Sequence, residues 1–304
     1  MRLYLASLMG LMGSLTTLLL AQSAGVQQRS DISFLSADRA EKMDLYLPTL
    51  PAGQRAPAVV WIHGGGWTTG DKAQRREQNV GHNLAAAGYV VASINYRLGA
   101  GSWPQNLLDC KNAVRFLRVH AVDYGIDPTR IAVAGGSAGG HLALMVAFTT
   151  DRDWEPDAPY PGVSNAVRAV IDLYGPTNHL TRLETDALGH STGKLKEANT
   201  ARVFGGSRDG DPDSWQRSSP VSHVRAGLPP VLILHGDRDD TVDLGQSREL
   251  DQALTSVGVR HQFLIVKNAG HTFDLETWNG HPLSIDLRPV VLGFLADSLK
   301  SAPP

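Results

Sequence analysis

The chain has 304 residues, 42% of them hydrophobic and 19% charged, with a formal net charge of -2. Such a chain can bury a full core, in one large domain or two small ones, and its composition excludes a disordered or fibrous protein. A balance this near neutrality leaves no footprint for nucleic acid or for an anionic membrane surface.

The first residues have the pattern of an export signal. Arg2 supplies a positive start, residues 3–20 are mostly apolar, and Ala21, Gln22 and Ser23 offer small residues for cleavage before a polar stretch begins at Gln27. We therefore expect a signal peptide over residues 1–23 and a mature domain over 24–304. The product would be secreted or periplasmic, without stable membrane association once the signal is removed. The alternative is an uncleaved anchor, since the apolar run approaches membrane-spanning length. Gly10, Gly13, Ser14, Thr16 and Thr17 dilute it, and no cysteine follows to mark a lipoprotein.

Residues 31–35 and 42–47 come next and are expected to form a leading hairpin at an antiparallel edge. From residue 58 onward short apolar runs alternate with amphipathic ones. Strands are predicted over 58–62, 90–95, 131–135, 169–173, 231–235 and 262–266, each continuous, apolar and rich in β-branched residues, as strands covered on both faces are. Helices are predicted over 73–87, 105–120, 138–148, 246–257 and 284–299. This alternation predicts an α/β fold whose mostly parallel central sheet is flanked by helices on both sides. Residues 150–165 and 177–220 break the rhythm. They are polar and rich in Asp, Gly, Pro and Trp, and read as irregular insertions forming a small cap or lid near the active site; surface loops without a catalytic role are the alternative.

Two glycine-rich turns carry the chemistry. Gly135-Gly136-Ser137-Ala138-Gly139 joins a predicted strand to a predicted helix, the context in which G-x-S-x-G lifts a nucleophilic serine above a sheet. Its neighbours must be small because the turn is tight. The N–H of Ala138 then faces a bound carbonyl oxygen. His63-Gly64-Gly65-Gly66-Trp67 follows the strand over 58–62, and bare glycine N–H groups, those of Gly64 and Gly65, suit the oxyanion of a tetrahedral intermediate. The loop lacks the Gly-Lys-Ser/Thr of a phosphate-binding loop and the spacing of a dinucleotide fingerprint.

A serine nucleophile needs a base, and the base an orienting acid. His271, in the loop after the last predicted strand, fits the base. Asp237, Asp239 and Asp240 all follow the strand over 231–235, with Asp172 a more distant candidate, and spacing does not choose among them. His63 is expected to orient the oxyanion loop, whereas His141 and His235 read as structural. Trp67 and Trp103 lie on loops where they would wall a substrate pocket; core packing is an equal alternative. The histidines lack metal-ligand spacing, so neither a metal nor another cofactor is expected. Cys110 is the only cysteine, which excludes an intramolecular disulfide, and it reads as a buried thiol.

Together these stretches resemble the hormone-sensitive-lipase-like and BD-FAE (bacterial feruloyl and acetyl-xylan) esterases of the α/β-hydrolase superfamily. The likeness runs from about Asp31 to Leu299. It also rests on Gly70-Asp71-Lys72, Asn95-Tyr96-Arg97-Leu98, residues 124–128, Asp172-Leu173-Tyr174-Gly175-Pro176, Ser219-Pro220-Val221 and Pro229-Pro230-Val231. The family pattern His-Gly-x-x-Asp falls on His235 to Asp239, so the resemblance implies Asp239 as the acid, with Asp240 the fallback. It implies a Ser137-His271-Asp239 triad, an α/β-hydrolase fold and a small-molecule or polysaccharide-linked ester as substrate. Amides and polyesters are the alternatives within the superfamily, and a non-catalytic homologue the alternative outside enzymes.

Overall fold

Continuous apolar runs between helices bury both faces of a sheet, and the computed structural model, which describes residues 25–149 and 159–300, shows how they are ordered. The strands are β1 (Gln27–Ile32), β2 (Met43–Leu47), β3 (Ala56–Ile62), β4 (Val90–Ile94), β5 (Ile126–Gly136), β6 (Ala169–Leu173), β7 (Leu183–Thr185), β8 (Ser191–Leu195), β9 (Val231–Gly236), β10 (His261–Val266), β11 (Thr277–Trp278) and β12 (His281–Pro282). The helices are α1 (Arg75–Ala86), α2 (Gln105–Val119), α3 (Ala138–Phe148), α4 (Ala198–Phe204), α5 (Pro212–Arg217), α6 (Leu244–Ser256) and α7 (Arg288–Ser298). Eight strands form the main sheet in the order β1-β2-β4-β3-β5-β6-β9-β10. From β4 to β10 every neighbouring pair is parallel, and β2 runs antiparallel to both β1 and β4.

Alternate residues of each strand feed two cores. Val60, Ile62, Val133 and Ile233 pack with Leu107, Leu142 and Leu250 of α2, α3 and α6 on one face. Val59, Trp61, Ala134 and Leu232 pack with Leu84 of α1 and Phe294 of α7 on the other. The period-2 alternation of strand side chains divides one apolar run between two helical layers.

The six apolar strands and five of the helices lie where the sequence predicts, within a few residues at their ends. Three expectations change. The leading strand is Gln27–Ile32 rather than 31–35. Its first five residues are exposed at the sheet edge, so no apolar pattern marks it. α7 begins at Arg288 rather than 284, with Pro289 in its first turn, where a missing N–H costs nothing. Residues 177–220 are not irregular: they hold the β7–β8 hairpin, α4, α5 and a 3-10 turn over Pro220–His223. The elements are too short to show a period, and Trp215, Val203 and Thr200, all buried, tie them to the body. The expected signal peptide, and residues 150–158 of the first expected insertion, lie outside the described residues. No helix among the described residues is long and apolar enough to cross a membrane.

Candidate active site

The chain leaves β3 towards β4 on one side and returns to β5 on the other. That reversal opens a crevice at the carboxyl ends of β3 and β5, where ligands bind in open α/β sheets. Both glycine-rich turns begin there. Ser137 has φ 58 and ψ -123, a conformation costing of order 1–3 kcal/mol, held by the Ser137 N–H bond to Leu173 O at 2.8 Å and the start of α3 behind it. The glycines beside it are enforced by contact: a Cβ on Gly139 would lie 2.0 Å from Ile62 O, and one on Gly135 would lie 2.4 Å from Gly139 O. A Cβ on Gly64 would come within 3.2 Å of Ser137 Cβ, so the two turns touch.

The glycine loop is braced from beneath. The His63 Nδ1–H donates to Gly64 O at 2.6 Å, and its ring stacks on Tyr96 with centroids 4.5 Å apart. Burial lowers its pKa to about 4, so the ring is neutral. Asn95 accepts from the Lys72 N–H at 2.7 Å and donates to Asp71 at 2.9 Å, clamping the far end of the loop. Among the described residues, none of the N–H groups of Gly64, Gly65 and Ala138 donates to another protein group.

His271 stands between Ser137 and Asp239. With its proton on Nδ1 it donates to Asp239 Oδ2 at 2.7 Å and accepts the Ser137 hydroxyl at Nε2 at 2.9 Å. Asp239 also accepts the Thr241 and Val242 N–H groups at Oδ1, at 2.9 and 2.8 Å. His235 Nε2 lies 3.2 Å from Asp239 Oδ2, while Ser247 lies 2.7 Å from its Nδ1. Burial opposes ionisation of Asp239, but the bonds from His235 and His271 outweigh it and hold the carboxyl well below its usual range. Burial pulls the His271 imidazole below its ordinary value, against the upward pull of Asp239. Asp240 is exposed and turned to the Thr241 hydroxyl, and Asp237 accepts the Asn268 N–H. Of the carboxylates that spacing left open, the structure brings only Asp239 to His271. Asp172 is fully buried beneath α3, accepts the Gly175 N–H at 2.9 Å, and has a pKa raised to about 7 by burial.

Trp67 and Trp103 are placed differently. Trp67 is buried and borders the cavity above Ser137, about 610 Å³ in volume, which Gly64, Gly65, Ala138 and His271 also line. Its Nε1–H donates to His141 Nδ1 at 3.2 Å, which leaves the His141 proton on Nε2, donated to Ser218 O at 2.7 Å. His141 therefore ties the glycine loop to the inserted segment, a structural part as expected. Trp103 is not brought to this cavity; it packs on Phe204 and lines a separate hollow with Pro104 and Arg217. Tyr174 escaped notice beyond its place in a motif. It is buried, donates to Phe273 O at 2.6 Å, accepts from Arg76 at 3.2 Å and sets its ring 4.8 Å from that of His271. Trp278 likewise donates to His271 O at 2.8 Å. The isolated aromatic residues carried no signal of this contact.

The BD-FAE family model matches residues 43–254. The chain is 33% identical to the probable carboxylic ester hydrolase LipM of Mycobacterium tuberculosis over 81% of its length and 56% of that protein's. It is 30% identical to the esterase LipQ of the same organism, over 82% of this chain and 58% of the relative. The chain thus spans rather more than half the length of these curated relatives. Among solved structures, esterase 2 of the planctomycete Thermogutta terrifontis superposes with a TM-score of 0.65 at 27% identity, over 91% of each chain. A truncated carbohydrate esterase from gut microbiota shares the fold, with a TM-score of 0.77 at 24% identity over 91% of this chain and 98% of that one.

Proposed function

This chain belongs to the BD-FAE family, and on that premise we propose that it is an exported serine carboxylesterase that hydrolyses short-chain or carbohydrate-linked acetyl or feruloyl esters. The observation that carries the reading is the single imidazole of His271 bonded to Ser137 on one side and to Asp239 on the other. A serine hydroxyl is a weak nucleophile until a neutral base at hydrogen-bond distance removes its proton.

The steps follow from that geometry. Ser137 Oγ attacks the ester carbonyl carbon as its proton passes to His271 Nε2. Asp239, ionised, holds the proton on Nδ1 and stabilises the imidazolium that forms. The carbonyl oxygen becomes an oxyanion facing the N–H groups of Gly64, Gly65 and Ala138, the last at the positive end of α3. The intermediate collapses, His271 returns its proton to the leaving alcohol, and the acyl group stays on Ser137. Water, deprotonated by His271, then releases the acid.

Export belongs to the same reading and is supported by Arg2, the apolar residues 3–20 and the small residues before Gln27. The test is release of 4-nitrophenol from acetate, butyrate and octanoate esters, beside methyl ferulate, an acetylated sugar and an amide. Turnover by the native protein that vanishes in Ser137→Ala supports the reading. Absence of turnover on every ester by a well-folded protein overturns it. Amino-terminal sequencing of the protein from the secreted or periplasmic fraction tests export, expecting a start just after Ser23.

A further inference from the structure

The wall of the Ser137 cavity carries two cations that the proposed chemistry does not use. Arg182 and Lys196 flank the β7–β8 hairpin, and the Lys196 N–H donates to Arg182 O at 2.9 Å, so they stand side by side. Both line the cavity that holds Ser137 and His271. Both side chains reach one carbonyl, Thr241 O, Arg182 Nη2 at 3.3 Å and Lys196 Nζ at 2.9 Å.

Carboxylates lie near both cations, Asp243 and Asp239 by Arg182 and Glu184, Asp239 and Asp240 by Lys196. Arg182 is 5% exposed, and its Nε is buried with no hydrogen-bond partner among the described residues. Neither cation makes an ion pair among those residues. The two carboxylates that bear on Arg182 spend hydrogen bonds elsewhere without pairing with it directly: Asp243 accepts the Leu183 N–H at 3.0 Å, and Asp239 accepts from His271 and from its own turn. Glu77, the carboxylate that lines the cavity, is matched by Arg76 at 2.5 Å. Burying an unpaired guanidinium is unfavourable, and burial pulls this one down to about 10. A surrounding that tolerates the deficit in the free protein is suited to a ligand that removes it. A planar guanidinium beside an ammonium is the donor set for a carboxylate.

We propose that Arg182 and Lys196 form a carboxylate-binding subsite in the wall of the Ser137 cavity, so that the preferred ester bears a negative charge. The inference rests on the esterase reading above and narrows its substrate class. Charge accounts for the selectivity, because a carboxylate meets both cations with an opposite charge while a neutral ester brings none.

The test compares kcat/KM for two matched pairs. In one the charge is on the acyl group (4-nitrophenyl butyrate against the mono-4-nitrophenyl ester of glutaric acid). In the other it is on the leaving group (phenyl acetate against 4-acetoxybenzoate). The expected result is a charged-to-neutral ratio of about tenfold or more in at least one pair, which also shows the side of the scissile bond that the carboxylate occupies. Arg182→Gln should lower that ratio by roughly 10- to 100-fold, the span of one or two hydrogen bonds to a charged group. Lys196→Gln should lower it less, Arg182→Lys should restore part of it, and added salt should compress it. The ratio is the readout because a merely structural role at Thr241 would slow both members of a pair alike. No charge preference in either pair, or a preference that survives Arg182→Gln, overturns the subsite. If no ester turns over, the esterase reading fails by itself. The subsite is then judged by calorimetry on Ser137→Ala with glutaric acid monomethyl ester against methyl butyrate. Tighter binding of the charged ligand, lost in Ser137→Ala/Arg182→Gln, supports the subsite; equal binding overturns it.

Discussion

Three aspartates lie within four residues, and their surroundings separate them. Asp239 accepts two backbone N–H groups and bonds to two imidazoles, whereas Asp240 is exposed. Asp239→Asn keeps the shape but lets an amide meet the proton on Nδ1, favouring the wrong tautomer; kcat should fall by roughly 10⁴-fold. Asp240→Asn should leave kcat within about threefold, as surface changes away from a network do. Comparable losses in both variants, measured on one ester, would contradict this assignment. The same imidazole sets an acid limit. His271 acts as base only when neutral, and burial holds its folded pKa below the ordinary value of about 6.5. The rate should therefore be flat above that value and fall as pH drops through the lower folded pKa. A plot of kcat/KM against pH whose acid limb has its midpoint above about 7 would be inconsistent with it.

At the scale of elements, the elbow works because β3, β5 and α3 approach more closely than side chains allow. Gly139 is the tightest point, its missing Cβ lying against Ile62 O and 2.6 Å from His63 O. Neither obstacle is a flexible side-chain end; both are backbone of β3 and of the glycine loop. Gly139→Ala should therefore destabilise the fold by about 1–3 kcal/mol or more and displace the glycine loop from Ser137. Urea unfolding reads the first effect, and a loss of kcat larger than the loss of folded protein reads the second. The inserted segment is joined to the glycine loop through a relay from Trp67 to His141 to Ser218. His141→Phe keeps the ring and removes both bonds, leaving the buried Trp67 N–H without its acceptor. A stability loss of about 1–3 kcal/mol is expected, read from the same urea curves.

At the scale of the whole molecule, histidines held neutral dominate the acid response. Burial lowers His63 to about 4 and His141 to about 3, and lowers His179 and His271 as well. Each stays neutral in the fold while its unfolded counterpart takes up a proton below about 6.5, so each removes stability as pH falls, by at most about 1.4 kcal/mol per pH unit. Asp172 acts in the opposite sense, since its carboxyl is raised to about 7 and the fold retains a proton that the unfolded chain has lost. Burial raises Asp109 and Asp243 in the same sense, and four histidines against these three carboxyls still give a net loss. The urea midpoint should be lower at about pH 5 than at about pH 7, and an unchanged midpoint would count against these neutral assignments.

The sheet, its flanking helices and the two glycine turns were legible along the chain because each is a local pattern. Continuous apolar runs mark strands buried on both faces, and a serine between small residues at a strand–helix junction marks an elbow. Edge strand β1 was displaced, and the order within 177–220 unread, because exposed or very short elements carry no hydrophobic period. What folding alone decided is which distant groups meet. Asp239 rather than Asp237 or Asp240 faces His271, Trp67 borders the cavity while Trp103 does not, Tyr174 packs on His271, and Arg182 comes to the wall of the same cavity. Each of these depends on contacts between residues far apart in the chain. Distance between such residues is set by how the layers pack, and no spacing along the chain encodes it.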